Sequence, residues 1–127
     1  MELNFYQRPF KLDKYCGWVY DSKGNFIFQF DEENEFDEKG NYVFGIKEFR
    51  EKVILSLNSL NHEPIIDCVF KANPNCPIEI LKDDALLITI RGWGNLTGIG
   101  GYNFDEEKAV KIQNELRDWI VYKLTKI

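Results

Sequence analysis

Ala85-Leu86-Leu87-Ile88-Thr89-Ile90-Arg91-Gly92-Trp93-Gly94-Asn95-Leu96-Thr97-Gly98 passes from an apolar strand pattern into a glycine-rich joint, and a long amphipathic segment follows it. Five of the nine glycines, Gly92, Gly94, Gly98, Gly100 and Gly101, fall within residues 91–101. Glycine at such a joint lets backbone approach another element or a ligand closely. Strand, glycine loop and helix is also the setting of nucleotide loops, so the reading of this joint decides the fold class. Gly92 to Gly98 spells G-x-G-x-x-x-G, one residue longer than the dinucleotide fingerprint, and no further strand pattern follows to supply an acid for a ribose. No G-K-[ST] is present after it. Asp105, Glu106 and Glu107 would repel a phosphate at the start of the next helix. What remains is a single α+β domain, with a mostly antiparallel sheet of roughly five to seven strands and two helices packed on it.

Downstream of the joint, Ala109, Ile112, Leu116, Trp119, Ile120 and Lys123 trace one stripe at helical spacing, the lysine by its stem. A helix over residues 104–125 is expected, with Asn103 and Glu106 as a capping box and the acids of its first turn facing the positive end of the dipole. Upstream, Ile78-Glu79-Ile80-Leu81 and residues 85–90 bracket Lys82-Asp83-Asp84 as a hairpin. Residues 65–70 read as another strand, ended by Asn73-Pro74-Asn75-Cys76-Pro77.

The N-terminal half repeats the order of strands before helix. Gly17-Trp18-Val19-Tyr20 and Phe26-Ile27-Phe28-Gln29-Phe30 flank Asp21-Ser22-Lys23-Gly24-Asn25, a hairpin pattern. Asp37-Glu38-Lys39-Gly40-Asn41 before Tyr42-Val43-Phe44 repeats that turn and predicts a meander. Residues 1–15, interrupted by Pro9, read as an extended lead-in or edge strand. Ile46, Phe49, Val53, Leu57 and Leu60 predict a helix over 46–60, with Gly45 at its start and Asn61 at its end.

Length, 127 residues, and 44% hydrophobic content place the chain in the globular class. No run is long enough to span a bilayer and the N-terminus carries no apolar leader, so a cytoplasmic protein without membrane association is expected. Cys16, Cys68 and Cys76 are widely spaced and odd in number, which predicts reduced thiols, and His62 is the only histidine, so no metal site and no cofactor are expected. The formal charge of −5 with scattered basic residues argues against direct nucleic-acid binding. Asp31, Glu32, Glu33, Glu35, Asp37 and Glu38 form an acidic run, read as a solvated connection or as a nucleic-acid mimic that attracts a basic partner.

No catalytic residue is assigned. Ser56, Ser59 and His62 lack an orienting acid, Asp83 and Asp84 suit turn chemistry, and nothing near Cys76 would activate a thiolate. At the joint, Arg91, Trp93, Asn95, Thr97 and Asn103 offer a guanidinium, an indole face and neutral hydrogen-bonding groups, the set that a nucleobase-bearing ligand uses. The opposing reading makes Trp93 and Leu96 plugs of the core beneath a tight connection.

Ile90-Arg91-Gly92-Trp93-Gly94-Asn95-Leu96-Thr97-Gly98, followed by Ala109, Ile112-Gln113 and a helix ending Trp119-Ile120-Val121, resembles short uncharacterised proteins of bacteriophages and prophages. The likeness covers about a third of the chain, with R-G-W-G-x-L-T-G at its centre. It implies a genomic setting rather than an activity, and with it a counter-defence or host-interaction role that includes sequestering a nucleotide signal. The leading expectation is a non-enzymatic binding protein for a small nucleotide-like ligand or a host protein. An enzyme whose acids converge only in the fold, and the acidic mimic, are the alternatives. The aromatic ladder Trp18, Tyr20, Phe26, Phe28 and Phe30 must expose part of itself, which predicts a homodimer.

Overall fold

A computed structural model describes residues 2–13, 16–31, 46–65, 68–98 and 101–126. The elements in chain order are β1 (Lys11–Leu12), β2 (Trp18–Tyr20), β3 (Phe26–Phe30), α1 (Ile46–Asn58), β4 (Phe70–Ala72), β5 (Glu79–Lys82), β6 (Ala85–Ile90), α2 (Trp93–Thr97) and α3 (Glu106–Leu124). The six strands form one sheet in the order β1-β2-β3-β6-β5-β4, and every neighbouring pair is antiparallel. The α+β class with an antiparallel sheet is therefore the observed architecture.

Both expected hairpins form, for reasons visible in their turns. In the first, the Asp21 carboxylate accepts from the backbone N–H of Lys23 and Asn25 and from Asn25 Nδ2, at 3.0, 2.9 and 3.1 Å. Gly24 takes φ +85 within this Asx-type turn. Asp21 is buried, so those bonds satisfy a carboxylate that water does not reach. The second hairpin turns at Asp83 and Asp84, with φ of 49° and 66°. Two consecutive positive φ values give the turn sense that matches strand twist. Asp83 also accepts from the Val69 N–H at 2.9 Å, and Asp84 pairs with Lys71.

Pairing then sorts the side chains. Val19 faces Phe28, and Phe28 faces Ile90, while Phe30 and Ile80 both face Ile88. These six residues share one face and are almost fully buried. Val53 and Leu57 of α1 and Ala109, Ile112, Leu116, Trp119, Ile120 and Leu124 of α3 complete the same core. The α3 stripe read from sequence is buried at every position, including Lys123. On the opposite face Trp18 stacks on Phe26 at 4.7 Å and stays partly exposed.

Several boundaries differ from expectation. α1 stops at Asn58 rather than residue 60, and the Asn58 side chain bonds both backbone groups of Phe10 (2.6 and 3.0 Å). Leu60 consequently lies outside the apolar stripe and is exposed. α3 begins at Glu106: its N-cap is Asp105, which accepts from the Lys108 N–H at 2.8 Å, so Asn103 and Glu106 are not the capping pair. Of the strand expected over 65–70, residues 66 and 67 lie outside the described residues; the strand described there is Phe70–Ala72, the span that meets Ile80 to Lys82. The joint is not a loop throughout, since residues 93–97 close a single helical turn. Gly45, the second D-x-K-G-N turn and Glu32 to Glu38 lie outside the described residues. Among the described residues, no helix is long and apolar enough to cross a membrane.

Candidate functional site

The joint is shaped by two glycines and one leucine. As β6 ends, the Arg91 N–H still donates to the Ile27 carbonyl at 2.9 Å. Gly92 then turns with φ +95, and a Cβ there would stand 2.7 Å from the Phe26 carbonyl oxygen. No other residue fits that approach. The next turn closes as α2, with the Leu96 N–H on the Gly92 carbonyl at 3.0 Å, and Gly98 ends it at φ +126. Leu96 is fully buried and is the plug of the core. Residues 102–104 fold back on the turn: the Tyr102 N–H donates to the Asn95 carbonyl and the Phe104 N–H to the Leu96 carbonyl.

This arrangement leaves an open cleft of about 590 Å³ between the end of β6, Pro77–Ile78 and α3. A volume of that size lies within the range of small-molecule sites. Its floor is apolar, from Ile78, Ile90 and Val110, and its walls carry Arg91, Trp93, Gln113 and Asn114. Trp93 is 40% exposed, so its indole is not a core plug. Arg91 is held from behind by Gln29, whose Oε1 accepts from Nε at 3.1 Å. Gln113 is buried and leans on the Arg91 carbonyl at 3.4 Å, a long bond. Among the described residues, Arg91 is the only titratable side chain on the cleft wall.

Of the five residues expected to act together, Arg91 and Trp93 meet in the cleft and three do not. Asn95 turns its amide to Asn25, donating from Nδ2 to Oδ1 at 3.1 Å. Thr97 bonds back to the Trp93 carbonyl at 2.9 Å, within its own helical turn. Asn103 is exposed, with Oδ1 beside Gly98. Gln113 and Asn114 line the cleft instead, and sequence reasoning named neither for the site. Their signal is positional: each adjoins the stripe of Ile112 and Leu116, where α3 turns from core toward the cleft.

The groups weighed for catalysis are accounted for structurally. Ser56 is buried on α1 and its hydroxyl donates to the Glu63 carbonyl. His62 Nε2 donates to the Thr125 carbonyl at 2.8 Å. The three cysteines are free and each is half-buried. Among the described residues no group of three or more His, Cys, Asp or Glu side chains converges. No protein-family model, curated protein or solved structure matches the chain.

Proposed function

We propose that this chain is a non-enzymatic binding protein that holds a small, planar, nucleotide-like ligand in the cleft beside α2. The observation that carries the reading is the composition of the wall: one guanidinium, one exposed indole and two carboxamides over an apolar floor. Acid–base or nucleophilic work needs a second titratable group or an activated nucleophile within reach, which this wall does not offer. An indole face stacks on a base, while Gln113 Oε1 and Asn114 Nδ2, the amide atoms not used on the Arg91 carbonyl and by Arg117, supply an acceptor and a donor to its edge. Arg91 adds a cation for a negatively charged substituent.

The phage-type setting implied by R-G-W-G-x-L-T-G gives the proposal its biological form. A host-derived nucleotide signal is bound and withheld in the cytoplasm, a counter-defence role. A host protein engaging the same exposed indole is the competing reading. Thermal shift with a panel of linear and cyclic nucleotides tests the two. Stabilisation by a nucleotide, lost in Trp93→Ala and Arg91→Ala, supports the ligand reading; stacking alone contributes ~1–3 kcal/mol per base. No shift with any nucleotide transfers the cleft to a protein partner.

For assembly we propose a homodimer through the outer sheet face, supported by the exposed Trp18 on its Phe26 stack. Light scattering at high micromolar concentration reads the mass directly, and a monomer there rejects the dimer.

A further inference from the structure

On the other flank of α3 lies a second, smaller cleft of about 290 Å³, lined by Arg8, Leu60, His62, Trp119 and Lys123 with Glu2 at its rim. Positions 110, 113 and 114 face the first cleft and 119, 122 and 123 the second. At about 3.6 residues per turn these two sets point to nearly opposite sides of the helix. The second cleft is therefore separate from the site proposed above, and an inference about it does not rest on that reading.

Two cations converge there without a carboxylate partner among the described residues. Lys123 is only 5% exposed, and its Nζ donates to the carbonyls of Ser59 and Asn61 at 2.7 and 2.9 Å. Arg8 donates to the same Ser59 carbonyl at 2.8 Å. Both cations also stand over the Trp119 ring, at 5.8 and 5.9 Å from its centre. Carbonyls past the end of α1 satisfy these donors and the negative end of its dipole favours the charge. Neither removes a unit charge, and a buried cation paired only with neutral dipoles is costly. Burial first, and then the neighbouring Arg8, lower the Lys123 ammonium from its ordinary value, while Glu63 opposes the change. Glu2 and Glu63 are both exposed to water and form no ion pair with either cation.

His62 adds a further unsatisfied group. A carbonyl accepts from its Nε2, which leaves the lone pair on Nδ1, and Nδ1 is buried with no partner.

We infer that the cleft between Arg8 and Lys123 binds a small oxyanion, a phosphate or a carboxylate, through the two cations. Guanidinium and ammonium at one concave site are the usual means of holding such a group, and Leu60 at the margin accommodates an apolar substituent.

Calorimetric titration of the full chain with inorganic phosphate and, separately, with acetate tests this, with chloride at matched ionic strength as the reference. Saturable binding of either oxyanion near one equivalent, weakened by about tenfold or more in Arg8→Gln, supports the inference. Stronger binding of phosphate or of acetate identifies which oxyanion the site prefers. Lys123→Met should abolish binding. If that variant fails to fold, Arg8→Gln decides alone, because Arg8 is exposed and glutamine retains a donor for the Ser59 carbonyl. Heats indistinguishable from chloride, or binding undiminished in Arg8→Gln, overturn it and leave the cations as caps of α1 alone.

Discussion

Asn95 Nδ2 donates to Asn25 Oδ1 at 3.1 Å, fastening α2 to a hairpin turn 70 residues earlier in the chain. Asn25 in turn donates from its own Nδ2 to Asp21, so a buried carboxylate anchors the series. Asn95→Ala leaves the Asn25 oxygen without its donor and should cost about 1 kcal/mol. Urea denaturation reads that loss. Unchanged stability together with lost ligand binding would return Asn95 to the site.

Trp93 and Leu96 occupy the same short helix but opposite environments, one 40% exposed and the other fully buried. Leu96→Ala should destabilise by ~2–5 kcal/mol through the cavity it leaves. Trp93→Ala should cost about 0.5 kcal/mol, as surface substitutions do. Comparing melting temperatures of the two variants checks the assignment, and a larger drop for Trp93→Ala would make the indole structural.

Gly92 and Gly24 both have positive φ, +95 and +85, yet only Gly92 faces an obstacle. A methyl at Gly24 meets nothing within 4 Å, so Gly24→Ala carries the backbone cost alone, ~1–2 kcal/mol. Gly92→Ala adds a clash with the Phe26 carbonyl and must displace β3 or β6. Gly92→Ala should therefore be the more damaging of the two by denaturant midpoint, and equal losses would place the turn elsewhere.

Tyr6 is buried, and its phenol is held protonated well above the ordinary value of 10.0, by burial foremost and then by the Asp21 carboxylate and Tyr102. The unfolded chain releases this proton near pH 10 and the folded chain only later, so the folded state binds it more tightly. The stabilising contribution is complete below about pH 10 and declines above it by up to about 1.4 kcal/mol per pH unit. Tyr6→Phe should flatten the alkaline fall in stability measured between pH 9 and 11. An equally steep fall in the variant would assign the effect to other groups.

The parts legible in the sequence are those governed by neighbours in the chain. The α3 stripe from Ala109 to Lys123 is a 3.6-residue pattern, and the Asp21 and Asp83 turns are short-range chemistry, so both were readable. Helix ends were less so: α3 starts on Asp105, a local cap that stands two residues from the equally cap-like Asn103, and the end of α1 meets a distant segment. Asn58, the last residue of α1, bonds by its side chain to Phe10, 48 residues away, and no local rule contains that pairing. The candidate cleft was half legible. Arg91 and Trp93 flank a glycine and carry their own signal, whereas Gln113 and Asn114 become wall residues only when β6 and α3 meet. Asn95 and Thr97 looked like ligand groups because residue type alone does not reveal that a side chain is already bonded within the protein.

The central seam of the sheet is β3 against β6, where Phe28 meets Ile90 and Phe30 meets Ile88. Each of these strands belongs to a hairpin that closes locally, on the scale of microseconds. The seam joins segments roughly sixty residues apart, so its loop-closure entropy is met before its contacts repay it. During synthesis the first hairpin leaves the ribosome well before β6 exists. For that interval β2 holds one edge of β3 while the edge bearing Phe28 and Phe30 toward β6 lacks its partner, the kind of unpaired edge that exposes a nascent chain to aggregation.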